Sequence, residues 1–302
     1  MRSSALFFIA LACACGNLSN EDVAFLEAIP QKDALKVQVP ANGAAQAACS
    51  LGDATVYQSA RSTGDSINGG VSNLLTLVDA IRAVPPTTRD TDTRIWGPFP
   101  DDSHKGFEVE VQMVRQIDET GTPWRWDYSI NERPKGGDFL TVVEGNFFGA
   151  QARNGTGRMT LHFESSAKLG INNPTDPLFP MHIFYDLGDN PRTISMDLTA
   201  GIGFGLPSFD YSYEGFSDGH GQFNFAASGG NGCTTEITTL FTAQGAGRDS
   251  FHVRCGPFVS AEVQQCWDTS ACLTYINDPL GSTAICNSRA CVLGSPAQCP
   301  AL

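Results

Sequence analysis

Over most of this 302-residue chain the apolar side chains recur at every second position, and that period decides the fold class. Phe107, Val109, Val111 and Met113 alternate with Glu108, Glu110 and Gln112, and Trp124, Trp126, Tyr128 and Ile130 alternate with Arg125, Asp127, Ser129 and Asn131. The pattern returns at Met159, Leu161 and Phe163, at Ile194, Met196 and Leu198, at Phe209, Tyr211 and Tyr213, and at Phe223 and Phe225. Successive side chains of a strand point to opposite faces, so each run has one face for a core and one for water, as antiparallel sheets do. A parallel sheet would need continuous apolar runs and crossover helices, and neither is present. Turn-forming clusters at 154–157, 188–191, 218–221 and 244–247 separate the runs at hairpin spacing. Three of them carry a G-x-G spacing, but strands follow where a phosphate loop would need a helix, so they are hairpins. About ten strands are expected between residues 94 and 276. They form a mainly β domain, a curved antiparallel meander that closes into a half-barrel, a barrel or a sandwich.

The period is helical before the strands begin. Ile67, Val71, Leu74, Val78 and Ile81 fall on one face of residues 53–84, with Asn73, Asp79 and Arg82 on the other. Gly64, Gly69 and Gly70 weaken its middle and predict a break or kink there, and Pro85-Pro86 ends it. This N-terminal helix is expected to pack against the sheet's concave face or a barrel mouth. Upstream, Ser19-Asn20-Glu21-Asp22 provides a capping side chain ahead of two acids, and Phe25, Leu26 and Ile29 make a short apolar stripe before Pro30. Residues 41–48 hold no charge and no bulky group and read as a tether.

The first fifteen residues have the plan of a secretion signal: Arg2 is the basic region, residues 5–12 the apolar region, and Ala12 and Ala14 the small residues before cleavage. Eight apolar residues fall well short of the roughly 20 that span a bilayer as a helix. Either Cys13 or Cys15 can be the cysteine that follows cleavage, and parity favours Cys15. It leaves eight others, Cys49, Cys233, Cys255, Cys266, Cys272, Cys286, Cys291 and Cys299, an even set that can pair completely in an oxidising compartment. Zinc is the alternative for these cysteines, but no C-x2-C knuckle is present. The chain divides into a signal peptide at 1–14, an N-terminal segment with a short helix and tether at 15–52, the helix and antiparallel domain at 53–277, and a cysteine-rich irregular tail at 278–302.

The formal charge is −13, and removing residues 1–14 takes away Arg2 and no acid. A chain so acidic is repelled by nucleic acid and by anionic headgroups, so nucleic-acid binding is excluded and any membrane attachment has to be hydrophobic. No local pattern carries catalysis. The five histidines His104, His162, His182, His220 and His252 form no H-E-x-x-H or H-x-E-x-H spacing. Gly70-Val71-Ser72-Asn73-Leu74 lacks the second glycine of a nucleophile elbow, and Glu108 and Glu110 merely share the polar side of one strand. Asp90 and Asp92, and Asp101 and Asp102, are the nearest approach to a calcium site, without the glycine and distal Glu of an EF-hand loop. No catalytic residue, metal site or cofactor is therefore expected.

The run Leu11-Ala12-Cys13-Ala14-Cys15-Gly16 resembles the lipobox of bacterial lipoproteins, which implies cleavage before Cys15 and its acylation. Gly245-Ala246-Gly247-Arg248, Cys266-Trp267-Asp268 and the start Asn17-Leu18-Ser19-Asn20 resemble segments of uncharacterised predicted lipoproteins of Gram-negative bacteria, a likeness that spans most of the mature chain and implies no activity. In general plan the chain is also similar to periplasmic lipid and lipoprotein carriers of the LolA and LppX type, from which the cysteine-rich tail departs. The expectation is thus a non-enzymatic, lipid-anchored envelope protein, in the outer membrane, that binds an apolar or amphipathic ligand on the inward aromatics Trp124, Trp126, Tyr128, Phe163, Tyr211, Tyr213 and Phe225. A structural or surface-interaction lipoprotein without ligand, and an envelope hydrolase without a local motif, are the alternatives. The residues point to no protein partner.

Overall fold

A computed structural model of the chain describes residues 18–28, 35–40, 49–81, 84–149, 155–172, 179–198, 208–228, 232–256 and 259–301. Cys13, Cys15, the signal segment and the tether at 41–48 lie outside the described residues. Among those described, no helix is long and apolar enough to cross a membrane.

The period-2 runs form one antiparallel sheet. Its first half is β1 (Thr88–Arg89), β2 (Thr93–Pro100), β3 (Phe107–Ile117), β4 (Pro123–Pro134), β5 (Leu140–Phe148), β6 (Thr156–Leu161), β7 (Met181–Asp186) and β8 (Arg192–Leu198). Its second half is β9 (Ser208–Gly215), β10 (Gly221–Ser228), β11 (Cys233–Phe241), β12 (Gly247–Cys255), β13 (Val259–Trp267), β14 (Leu273–Asp278) and β15 (Cys291–Gly294). Each strand pairs with the next in sequence, so the order in space is the order in the chain and β1 and β15 are the two free edges. The meander is therefore open, which excludes the closed barrel and the sandwich. Thirteen strands, β2 to β14, fall where about ten were expected. The alternating runs read from the sequence fall on β3, β4, β6, β8, β9 and β10; in β11, β12 and β13 the inward positions Thr239, Asp249 and Gln265 are buried but polar and conceal the alternation.

Two helices fill the inner face. α1 (Asn20–Glu27) begins at a reciprocal cap, with Ser19 Oγ accepting from the Asp22 amide at 3.1 Å and the Asp22 carboxylate from the Ser19 amide at 3.0 Å. α2 (Thr55–Ile81) runs unbroken for 27 residues through Gly64, Gly69 and Gly70, so the expected break is absent. A cost of up to about 1 kcal/mol per glycine is offset where the helix is held at both ends. At its start, Cys49 is bonded to Cys272, and Ala54 N–H donates to Ala271 O at 3.0 Å, fixing it beside β14. At its end, Val84 O accepts from the Trp96 indole N–H of β2 at 3.1 Å. A helix of this length rises about 40 Å. Twelve flat strand spacings from β2 to β14 would measure about 58 Å, so the sheet must bend around α2 as a half-barrel.

Across β4 and β5 the inward positions are matched in size. Gly145 sits opposite Tyr128, whose ring lies over the position a side chain would take, with the Arg158 carbonyl closing the other side. Gly145→Ala is expected to reduce stability by about 1–3 kcal/mol through overpacking, read as a lower urea midpoint at unchanged slope.

The eight cysteines from Cys49 to Cys299 pair as 49–272, 233–255, 266–299 and 286–291. The tail is only partly irregular. Its Cys291–Gly294 stretch is the edge strand β15, paired with β14 from Tyr275↔Gly294 to Asp278↔Cys291. Four residues are too few to display a period, and the Cys286–Cys291 bond presents them to the sheet.

Candidate functional site

Residues 35–40 cross the inner face as a strap between α2 and the sheet. Leu35 and Val37 are buried in the core, and Asn68 of α2 accepts from the Val37 amide and donates to its carbonyl, both at 2.8 Å. One side-chain amide thus mimics a β-bridge. Tyr57 OH donates to Pro40 O at 2.7 Å, Arg192 to Lys36 O at 3.1 Å, and Tyr213 OH to Gln38 O at 3.4 Å. Where the strap leaves the core, a cavity of about 500 Å³ opens between it and the β7–β8, β9–β10 and β11–β12 hairpins. Val39, Pro40, Leu187 and Phe216 supply apolar wall, Arg192, Asn190 and His220 the polar rim, and Tyr213 the inner boundary.

The seven aromatics singled out from the sequence separate into two groups. Trp126, Tyr128, Tyr211 and Tyr213 are buried on the inner face, and Phe225 packs partly buried against the same core. The concave face itself is occupied: Phe25 of α1 meets Trp126 edge-on at 5.0 Å, and Tyr211 meets Phe223 at 4.8 Å. Trp126 Nε1 and Tyr211 OH are buried with no hydrogen-bond partner among the described residues. The other two expectations are corrected. Trp124 is 45 % exposed, since the register shifts between Gln116 and Ile117 and the strand end runs past the core. Phe163 is not on a strand; β6 stops at Leu161 and Phe163 begins α3 (Phe163–Leu169). A three-residue run cannot separate a strand end from a helix start.

In the C-terminal half, Thr239, Asp249 and Gln265 sit side by side on the inner face. Thr239 Oγ1 donates to Asp249 Oδ1 at 2.6 Å, while Asp249 Oδ2 and Gln265 Nε2 find no partner among the described residues. Burial, opposed by the Thr239 hydrogen bond, pushes the Asp249 carboxyl up to about 8. That lies above the unfolded value of roughly 3.9, so the native state binds the extra proton between the two. The stability linked to Asp249 is complete below about pH 4 and is lost as pH rises through about 8. Asp249→Asn is expected to flatten this loss, seen as urea midpoints that differ less between about pH 5 and pH 8.5 than in the parent protein.

One cluster of potential metal ligands gathers at the sheet's other end. Asp101 and His104 lie in the β2–β3 hairpin, and Glu132 is an inward residue of β4, in line with Trp126, Tyr128 and Ile130. His104 Nδ1 stands 2.7 Å from Asp101 Oδ2 and 3.1 Å from Glu132 Oε1, and the three ligand atoms lie within 4.8 Å of one another. Burial, then the hydrogen bond and charge of Asp101, push the Glu132 carboxyl up to about 7 against the opposing pull of His104. Burial would also raise Asp101, but hydrogen bonds from the Ser103 amide and His104 outweigh it and hold that carboxyl below the usual range. Spacing along the chain does not join these residues. The available signal was Glu132 itself, an acid at a position the alternation assigns to the core. Asp102, Asp90 and Asp92 stay apart from the cluster; Asp92 pairs with Arg115 at 3.1 Å.

His162 also stands between two acids, but on opposite ring nitrogens: Nδ1 is 2.7 Å from Glu164 and Nε2 3.4 Å from Glu144. One ion cannot use both contacts. His182 bonds Thr160 at 3.2 Å, His220 pairs with Asp218, and His252 contacts Ser260 at 3.0 Å. The Ser260 and His252 pair, with Glu236 3.9 Å from the other ring nitrogen, lies on the strands β11 to β13, and Ser72 lies inside α2.

No family model, no curated protein and no solved structure matches the chain. What the fold and site define is a class by construction: an open antiparallel half-barrel, filled by two helices and a strap, with a cavity at the strap's exit.

Proposed function

We propose that the protein is a non-enzymatic, lipid-anchored envelope protein that binds an amphipathic ligand at the mouth of its half-barrel. The cavity between the strap and the hairpins carries this reading. Its volume suits a small ligand, its apolar wall suits an acyl or similar chain, and Arg192 and His220 stand at the rim where a polar head would sit. The filled interior shifts the ligand from the whole concave face to this rim. Anchoring through an acylated Cys15 is supported by the complete pairing of the eight other cysteines of the mature chain, which fits an oxidising compartment and leaves Cys15 outside the disulfide framework.

The test is mass spectrometry of protein purified from membranes of its native host, on the intact chain and on its organic extract. A mature mass carrying acyl chains on Cys15, together with a non-covalent lipid in the extract that Arg192→Ala diminishes, is the expected result. Absence of the non-covalent lipid removes the ligand reading and favours a structural role; absence of the acyl mass removes the anchor.

A further inference from the structure

We propose that Asp101, His104 and Glu132 form a binding site for a first-row divalent cation of the Zn²⁺ class. The donor set is one imidazole nitrogen and two carboxylate oxygens, with no sulfur, which suits Zn²⁺ and its neighbours better than the all-oxygen shells of Ca²⁺ and Mg²⁺.

The geometry is built by the fold. Asp101 N–H donates to Phe107 O at 3.0 Å, and Phe107 N–H to His104 O at 3.0 Å, closing the hairpin. The Ser103 amide holds Asp101 Oδ1 at 2.7 Å and so turns Oδ2 toward His104. Lys135 N–H donates to Gly106 O at 2.9 Å and fastens the hairpin tip to the end of β4, where Glu132 lies opposite Val109. The three donors thus arrive from two chain segments onto one side of a point. Zinc bonds of about 2.0–2.1 Å in tetrahedral geometry place ligand atoms about 3.3 Å apart, so the donors now separated by 2.7 and 3.1 Å need part by about 0.6 and 0.2 Å, with the third pair already within 4.8 Å.

Glu132 makes the cluster more than a surface ion pair. Its side chain is 7 % exposed, it continues an otherwise apolar inward row, and among the described residues His104 is its one ion-pair partner. Among the described residues no Lys or Arg pairs with these two carboxylates, which sit at the edge of a core in a chain of net charge −13. A divalent ion would neutralise both, and the 37 % exposure of His104 leaves an approach from solvent for the remaining coordination positions. The bound ion would join the β2–β3 hairpin to β4.

The experiment is calorimetric titration of the full folded chain with Zn²⁺, alongside Mg²⁺ and the variants His104→Ala, Asp101→Asn and His162→Ala. Saturable binding of one Zn²⁺, no response to Mg²⁺, at least tenfold weaker binding in the first two variants and no change in His162→Ala are expected. Co²⁺ serves as a second probe, since its ligand-field absorption appears on binding and is lost in His104→Ala. Circular dichroism of His104→Ala, a half-exposed hairpin residue, establishes that the fold persists. No saturable Zn²⁺ binding, or binding that survives both His104→Ala and Asp101→Asn, overturns the assignment.

Discussion

Replacing Asp22 with alanine is expected to lower the unfolding free energy by about 3–5 kcal/mol, the cost of leaving the other partner of a buried ion pair without its counter-charge. Asp22 is fully buried, and its Oδ1 and Oδ2 accept from Arg94 at 2.7 Å and Arg89 at 3.0 Å. Arg94 is 3 % exposed, lies 4.7 Å from the centre of the Phe25 ring, and also reaches Glu21 at 3.0 Å and the Asp90 carbonyl. This network fastens α1 to β2, and without it a guanidinium stays behind in the core. The loss also has a pH signature. Burial raises the Asp22 carboxyl, but the Ser19 amide and the two guanidiniums outweigh it and hold it at about 2. The folded value lies below the unfolded one, so this contribution is present above about pH 4 and disappears as pH falls through about 2. It slopes opposite to that of Asp249. Urea denaturation of Asp22→Ala beside the parent, at neutral and at acid pH, measures both; a difference below about 1 kcal/mol at neutral pH would show that α1 is not held by this pair.

The double variant Cys49→Ser, Cys272→Ser is expected to cost about 5 kcal/mol. The bond closes a loop over a sequence separation of 223, and the chain-entropy treatment gives that order of magnitude for a loop of this length. The bond also fixes the start of α2, next to the stacked Tyr57 and Trp267 rings at 4.5 Å. Denaturant midpoints and Trp267 fluorescence of the variant, with the other three disulfides intact, check the prediction. Matching stability in parent and variant would mean that the backbone bonds from Ala54 N–H to Ala271 O and from Leu273 N–H to Gly52 O, the second at 2.9 Å, alone hold the helix in place.

The sheet was legible because alternation is a local signal. Runs such as 107–113 and 124–130 state their own conformation and direction of burial, and an antiparallel meander follows once hairpin turns join them. Openness was not legible, because closure depends on whether β1 and β15 meet, and nothing in a two-residue and a four-residue strand states that. The glycines of α2 predicted a break since propensity is counted residue by residue, whereas Cys272 and Trp96 hold the helix from elsewhere in the chain. The aromatic interior was read correctly at Trp126, Tyr128, Tyr211, Tyr213 and Phe225. It failed at Trp124 and Phe163, both at strand ends where period carries least information. The Asp101, His104 and Glu132 cluster escaped because Glu132 lies 28 residues from His104 across a hairpin, a distance that motif spacing does not cover.

The unbroken correspondence between strand order and chain order sets the sequence in which parts become available during folding. On a chain that emerges N-terminus first, every strand finds its neighbour as soon as the next hairpin is out, so the sheet can lengthen one strand at a time from β1. α2 precedes all of this, yet its docking point on β14 is among the last segments to appear. Until residue 272 is out, Cys49 faces an incomplete set of thiols in which Cys233, Cys255 and Cys266 come first. The fold's earliest long helix thus gains its permanent hold late, with only β14, β15 and the Cys266–Cys299 and Cys286–Cys291 bonds still to follow.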